Sequence, residues 1–331
     1  MQQSKVIKLS LGKKGESFPI ARAVMAASFA APLVSKVHCR SIVFHVYGLS
    51  SAEEELALLT MASSVWGDPS KLIYSYDDGF DYLAKKAAVL CHLPVCVCSS
   101  RPAYSSSLSS SLSSSLPQSV RRAGRAGSTE AVTANEDNKR YIERRNDWMF
   151  YLMLSHSENP CGICDSTKDT GDYNGNRWQT VFISTGKKPL SYDGGQPAIK
   201  SKAIELDAAR FAATSTVSAA SVVSASAVNG SFAGELSSLI EKTAIFQHNC
   251  GISGQVYSKY LCTECTDADF KADYNAFLNA ILPYDLSGKA HEAAVIALGD
   301  FYASMAVFGL DVYTAWFEAL AMGIGLVQLA G

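Results

Sequence analysis

Ser41-Ile-Val-Phe-His-Val-Tyr47 alternates apolar and polar side chains, stops at Gly48, and is followed by Ser50-Ser51 with Glu53 and Glu54 close behind. A period of two over such a run is the signature of a strand. Serine followed by acidic residues is the signature of a helix N-cap with acids in the first turn. The stretch therefore predicts a strand, a glycine-closed turn and a helix running to about Val65.

The same reading extends in both directions. Residues 5–11, Lys-Val-Ile-Lys-Leu-Ser-Leu, alternate in the same way and end at Gly12. Ala21 to Val34 carries alanine and methionine at helical density. Lys71-Leu-Ile-Tyr-Ser-Tyr76 predicts a short strand, and Tyr82 to His92 a helix stopped before Pro94. Residues 1–102 thus predict a mixed α/β domain.

Residues 103–137 differ in composition. Three repeats of Ser-Ser-Ser-Leu fill 105–116, then Pro117 leads into a run containing Arg121, Arg122 and Arg125. Serine at that density competes with regular backbone hydrogen bonding and buries little, which predicts a Ser/Arg-rich low-complexity linker or loop. Beyond it, 138–331 predict a mainly helical domain with a loop-rich insertion at 160–200. That insertion holds one convincing strand, Trp178 to Ile183. Ala203 to Val228 favours helix by its alanine content, and Glu235 to Gln247, Asp267 to Leu282 and Ala290 to about Leu329 predict a bundle, the last with breaks near Gly309 and Gly323. The expected fold class is α+β and predominantly helical, with a mixed α/β N-terminal half and a helix-bundle C-terminal half.

Composition limits the function classes. The 331 residues are 48% hydrophobic and 18% charged, ordinary for a globular chain. The net charge of −2 hides an asymmetry: 18 basic and 12 acidic residues give +6 in 1–145, and 11 basic and 19 acidic give −8 in 146–331. Opposed charge suits a basic part that meets a polyanion, or head-to-tail self-association. Nine cysteines, an odd number in a long chain, argue against a disulfide framework. No unbroken apolar run of about 18 residues occurs, so no membrane span is predicted. The expected localisation is cytoplasmic, or within a virion.

Three features carry candidate chemistry. Cys161-Gly-Ile-Cys164 and Cys262-Thr-Glu-Cys265 can each aim two thiolates at one ion, and four thiolates suit a structural Zn²⁺, although the pairs lie far apart in sequence. Basic residues interleave with aromatics: Lys13 and Lys14, then Arg121, Arg122 and Arg125, then Arg140, Arg144 and Arg145 next to Tyr141 and Trp148, a pattern that can hold phosphates and stack a base. Asp300, Asp311 and Glu318, spaced by 11 and 7 on one helical wheel, fall within about 20° and predict a narrow acidic stripe.

Catalytic signatures are missing from the sequence. Gly186-Lys187 follows a strand, but a P-loop there needs glycine at position 181, where Val181 stands. No nucleophile elbow, zincin or dinucleotide-binding pattern occurs. These observations together predict a non-enzymatic, self-assembling structural protein that coats or encloses nucleic acid, RNA in the first instance, as capsid and nucleocapsid proteins do. The alternative is a zinc-stabilised adaptor or regulatory binding module.

Overall fold

The computed structural model describes residues 20–78, 80–98, 178–190, 203–208 and 232–329. Its centre is a five-stranded sheet of β1 (Ile42–Tyr47), β2 (Ile73–Ser75), β3 (Val95–Cys98), β4 (Val181–Gly186) and β5 (Ala203–Asp207), in spatial order β2-β3-β4-β1-β5. Every pairing is parallel. The register sets Ile42 beside Val181 and Tyr47 beside Gly186 on one side of β1, and Tyr47 beside Asp207 on the other. The expectation of an α+β, predominantly helical fold is met.

Parallel strands need covered faces, and the side chains alternate accordingly. Ile42, Phe44 and Val46 of β1, with Cys96, Ile183 and Ile204, enter the large core shared with the helices. Val43, Val95, Val97 and Phe182 enter a smaller core with Leu83 and Ala87. The helices named here are α1 (Ile20–Ala30), α2 (Leu33–Lys36), α3 (Ala52–Ser64), α4 (Pro69–Leu72) and α5 (Phe80–Leu90). α1 and α3 cover the first face, and α5 supplies Leu83 and Ala87 to the second.

The remaining helices are α6 (Phe232–His248), α7 (Ile252–Glu264), α8 (Asp267–Ile281), α9 (Ala290–Ala306) and α10 (Val312–Leu329). α8 starts as its sequence demands, with Thr266 and Asp269 forming a reciprocal capping box. α9 runs through the middle, packed on α1, α7, α8 and α10. It touches α1 closely enough that only glycine fits at position 299, where a Cβ would come within 2.6 Å of the Ala30 nitrogen. α6 packs on α3, which joins the bundle to the sheet. α10 is long and apolar enough to cross a membrane by length and composition, with 33% of its apolar window buried in the fold.

Three sequence expectations change. Residues 203–207 form a strand and not the start of a helix, because Ala-Ile-Glu-Leu-Asp hydrogen-bonds along β1 and tertiary pairing overrides alanine's preference. The final helical stretch breaks at 307–311, where Gly309 adopts φ of 66°, and runs unbroken through Gly323. That break dissolves the acidic stripe. Asp311 bonds the backbone N–H of Thr314 at the start of α10, while Asp300 and Glu318 both hold Arg22 of α1. The predicted strand at 5–11 lies outside the described residues.

Candidate functional site

In an open parallel sheet, ligands bind beyond the carboxyl ends of the strands where the winding reverses. From β1 the chain passes to β2 at one edge, returns through β3 to β4 beside β1, and then crosses to β5 on β1's other flank. The reversal therefore lies at the end of β1, where Tyr47 runs into Gly48.

Gly48 adopts φ of 76°, a conformation that turns the chain sharply out of the strand and favours glycine. Leu49 is buried beneath the turn, and Ser51 caps α3 by accepting the Glu54 N–H at 3.2 Å. The Glu54 carboxylate folds back over the same turn. One oxygen accepts the Ser50 N–H at 2.7 Å, and the other accepts the Ser50 hydroxyl at 2.8 Å. Glu53 is exposed beside it. Glu55 points the opposite way, is buried, and accepts the Thr185 hydroxyl of β4 at 3.3 Å.

A second polar group lies on the other face of the same strand ends. His45 is buried, with Nδ1 2.7 Å from the Ser184 hydroxyl and Nε2 2.9 Å from the Lys188 carbonyl. The carbonyl can only accept, so Nε2 carries the proton and Nδ1 accepts from Ser184. Burial holds this imidazole below its ordinary pKa, against the pull of the Lys188 carbonyl and of Glu205 and Glu55. Glu205, mostly buried, accepts the Leu190 N–H, so the segment after β4 is tied to β5. Gly186 leaves room for the imidazole, since a Cβ there would lie 3.2 Å from His45 Cε1. Lys187 and Lys188 follow at the surface and add positive charge to this edge.

Of the site residues expected from sequence, two lie among the described ones. Lys13, Lys14, Arg121, Arg122, Arg125, Arg140, Arg144 and Arg145 all lie outside the described residues, as do Cys161 and Cys164. Cys262 is exposed on α7, and Cys265 closes that helix half-buried, its thiol pushed up to about 11 by burial and by Asp269, Asp273 and Glu264. Among the described residues, no group of three or more His, Cys, Asp or Glu side chains is arranged to hold a metal ion.

Sequence reasoning missed the turn at Gly48 as a site. It sought a phosphate-binding loop after Ile183, where a Gly-Lys pair stands, and took Ser51 and Glu54 as an ordinary helix start. The available signal was a strand closed by glycine and followed after four residues by the first turn of a helix.

Comparison with known proteins bears on this fold. A family model described as "Domain of unknown function (DUF927)" matches residues 15–85, the stretch that contains α1, β1, the Gly48 turn and α3. No curated protein matches the chain. Among solved structures, the chain is similar to "SCCmec type IV Cch - active helicase", with a TM-score of 0.55 and 13% sequence identity over 98% of this chain and 51% of that one. The chain spans about half the length of that protein. At this identity the likeness is one of fold.

That likeness overturns the expected function. A capsid or nucleocapsid-like coat protein, and with it the viral and structural assignment, does not account for a parallel sheet and bundle shared with a helicase. The zinc-stabilised adaptor falls with it. The expectation of a non-enzymatic chain is corrected as well, since an active enzyme is built on this fold. The charge contrast between the halves misled because the fold ignores that division: β1 from the basic half hydrogen-bonds to β4 and β5 from the acidic half.

Proposed function

We propose that this chain is a helicase-like module that works on nucleic acid. The observation that carries the proposal is the parallel sheet backed by a helix bundle, a fold similar, at a TM-score of 0.55 over 98% of this chain, to that of a protein titled an active helicase. The basic clusters at Lys13 and Lys14, Arg121 to Arg125 and Arg140 to Arg145 are the proposed phosphate contacts. A second copy of the chain is a further proposed partner.

The test is fluorescence anisotropy with labelled single-stranded DNA, single-stranded RNA and a partial duplex, titrated across salt, followed by strand displacement from the duplex. Saturable binding that weakens steeply with salt, with displacement of the labelled strand, supports the module. A chain that retains none of the three probes at low salt removes it. Light scattering on the same samples decides self-association. For Cys161, Cys164, Cys262 and Cys265 we propose separately a shared structural zinc, which metal analysis of the purified chain tests by its stoichiometry.

A further inference from the structure

A strand that ends in glycine and opens onto a helix N-terminus is the framework of the phosphate-binding loop. There, Gly-x4-Gly-Lys-[Ser/Thr] surrounds phosphate with backbone N–H groups and a lysine ammonium. Placing the first glycine of that pattern on Gly48 puts Glu53, Glu54 and Glu55 at the glycine, lysine and serine or threonine positions. The framework is kept and the charge is reversed.

The side chains complete the reversal. The donors closest to the turn are already used, because the Ser50 N–H and the Ser50 hydroxyl both donate to Glu54. The Glu54 carboxylate is thus an anion of the chain's own, held four residues along the chain from Ser50 and bonded to it. Glu55, at the position where the pattern needs a hydroxyl, is committed to Thr185 on β4. Glu53 extends the negative field outward. Glu54 is the N3 residue to the Ser51 cap, and its carboxylate folds back onto Ser50 much as a capping-box acid does, so the contact that caps the helix also sets a negative charge at the turn.

We infer that the β1–α3 turn of this chain excludes nucleotide phosphates, with Glu54 standing in their place. A nucleotide that drives helicase-like work enters elsewhere than at this turn. The inference rests on the helicase-like reading for its context, though not for its chemistry, since like charge repels phosphate and occupied donors cannot hold it in any fold.

The experiment is equilibrium binding of ATP with Mg²⁺ to the full chain, read alongside the backbone amide resonances of Ser50 and Ser51. The native chain is expected to give no saturable binding and no movement of those resonances. The double variant Glu53→Gly with Glu54→Lys, which leaves buried Glu55 in place, is expected to bind ATP saturably and to move the Ser50 and Ser51 amides. Circular dichroism melting confirms that it is folded, and Glu54→Gln, a near-isosteric change, serves as the second variant with a smaller gain. Saturable ATP binding by the native chain that moves the Ser50 and Ser51 amides overturns the inference. So does a folded double variant and a folded Glu54→Gln that both gain nothing. Nucleic-acid anisotropy on the same native sample keeps the two ideas apart: loss of nucleic-acid binding removes the proposed function and leaves the turn's exclusion of phosphate standing.

Discussion

Arg22 on α1 and Asp300 on α9 are separated by 278 positions in sequence, and their charged groups meet at 2.6 Å. Arg22 also reaches Glu318 on α10 at 2.9 Å, so one guanidinium ties three helices together. Asp300 is almost fully buried, with 6% of its side chain exposed. Burial raises the Asp300 pKa, and Arg22 draws it back down. Removing the cation leaves an uncompensated buried carboxylate. Arg22→Ala should cost about 3–5 kcal/mol in urea unfolding, whereas the joint change Arg22→Met with Asp300→Leu should cost clearly less than the single one. Equal losses in the two variants would show that the ion pair is not what the site depends on.

The crossing of α1 and α9 gives an independent test. A Cβ on residue 299 would stand 2.6 Å from the nitrogen and 2.7 Å from the Cα of Ala30, and 2.9 Å from the Ala26 carbonyl oxygen. All three are backbone atoms, so no side chain can swing aside. Gly299→Ala should lower stability by about 2 kcal/mol or more despite alanine's better helix propensity. Thermal melting should register the loss, and an unchanged or higher midpoint would refute the close crossing.

His45 should make stability depend on pH with a definite sign. Burial holds its folded-state pKa below the ordinary 6.5, so between those two values the unfolded chain binds more protons than the folded one. Stability from this group is complete above about pH 6.5 and is lost as pH falls toward the folded-state value. Urea midpoints for the native chain should therefore fall more steeply between pH 7.5 and 5.5 than those of His45→Gln, on the window set by the ordinary histidine value of about 6.5. Parallel profiles would contradict the assignment.

The basic clusters proposed to meet nucleic acid can be tested by salt. Replacing Arg121, Arg122 and Arg125 together by glutamine should reduce the slope of log K against log salt by about two to three, the value for three lost phosphate contacts. A slope that stays unchanged while affinity also stays unchanged would release this segment from the interface.

Local signals made much of the fold legible. The strand at 41–47 and the Ser51 cap each rest on signals within a few residues, and the structure realises both, though the strand is buried on both faces. What stayed hidden depends on contacts between distant segments. Ala203 to Asp207 is a strand because β1 offers it a partner, not because its composition favours one. Asp300 and Glu318 looked like one stripe on one helix, and only the turn at Gly309 turned them toward Arg22. The candidate site was half legible for the same reason. Ser51 and Glu54 could be placed at a helix start, but their place at the winding reversal exists only once β4 and β5 flank β1.

The central position of β1 also has a consequence in time. His45 meets Ser184 across 139 positions of sequence. A ribosome adding residues at about 5–20 per second needs roughly ten seconds to cover that distance, and throughout it the strand has no native neighbour on either side. Its run of Ile42, Val43, Phe44 and Val46 is the kind of apolar edge that invites premature pairing with another nascent chain. Synthesis of this protein is therefore a wait for β4, and the slower the chain is made the longer β1 stays open to a wrong partner.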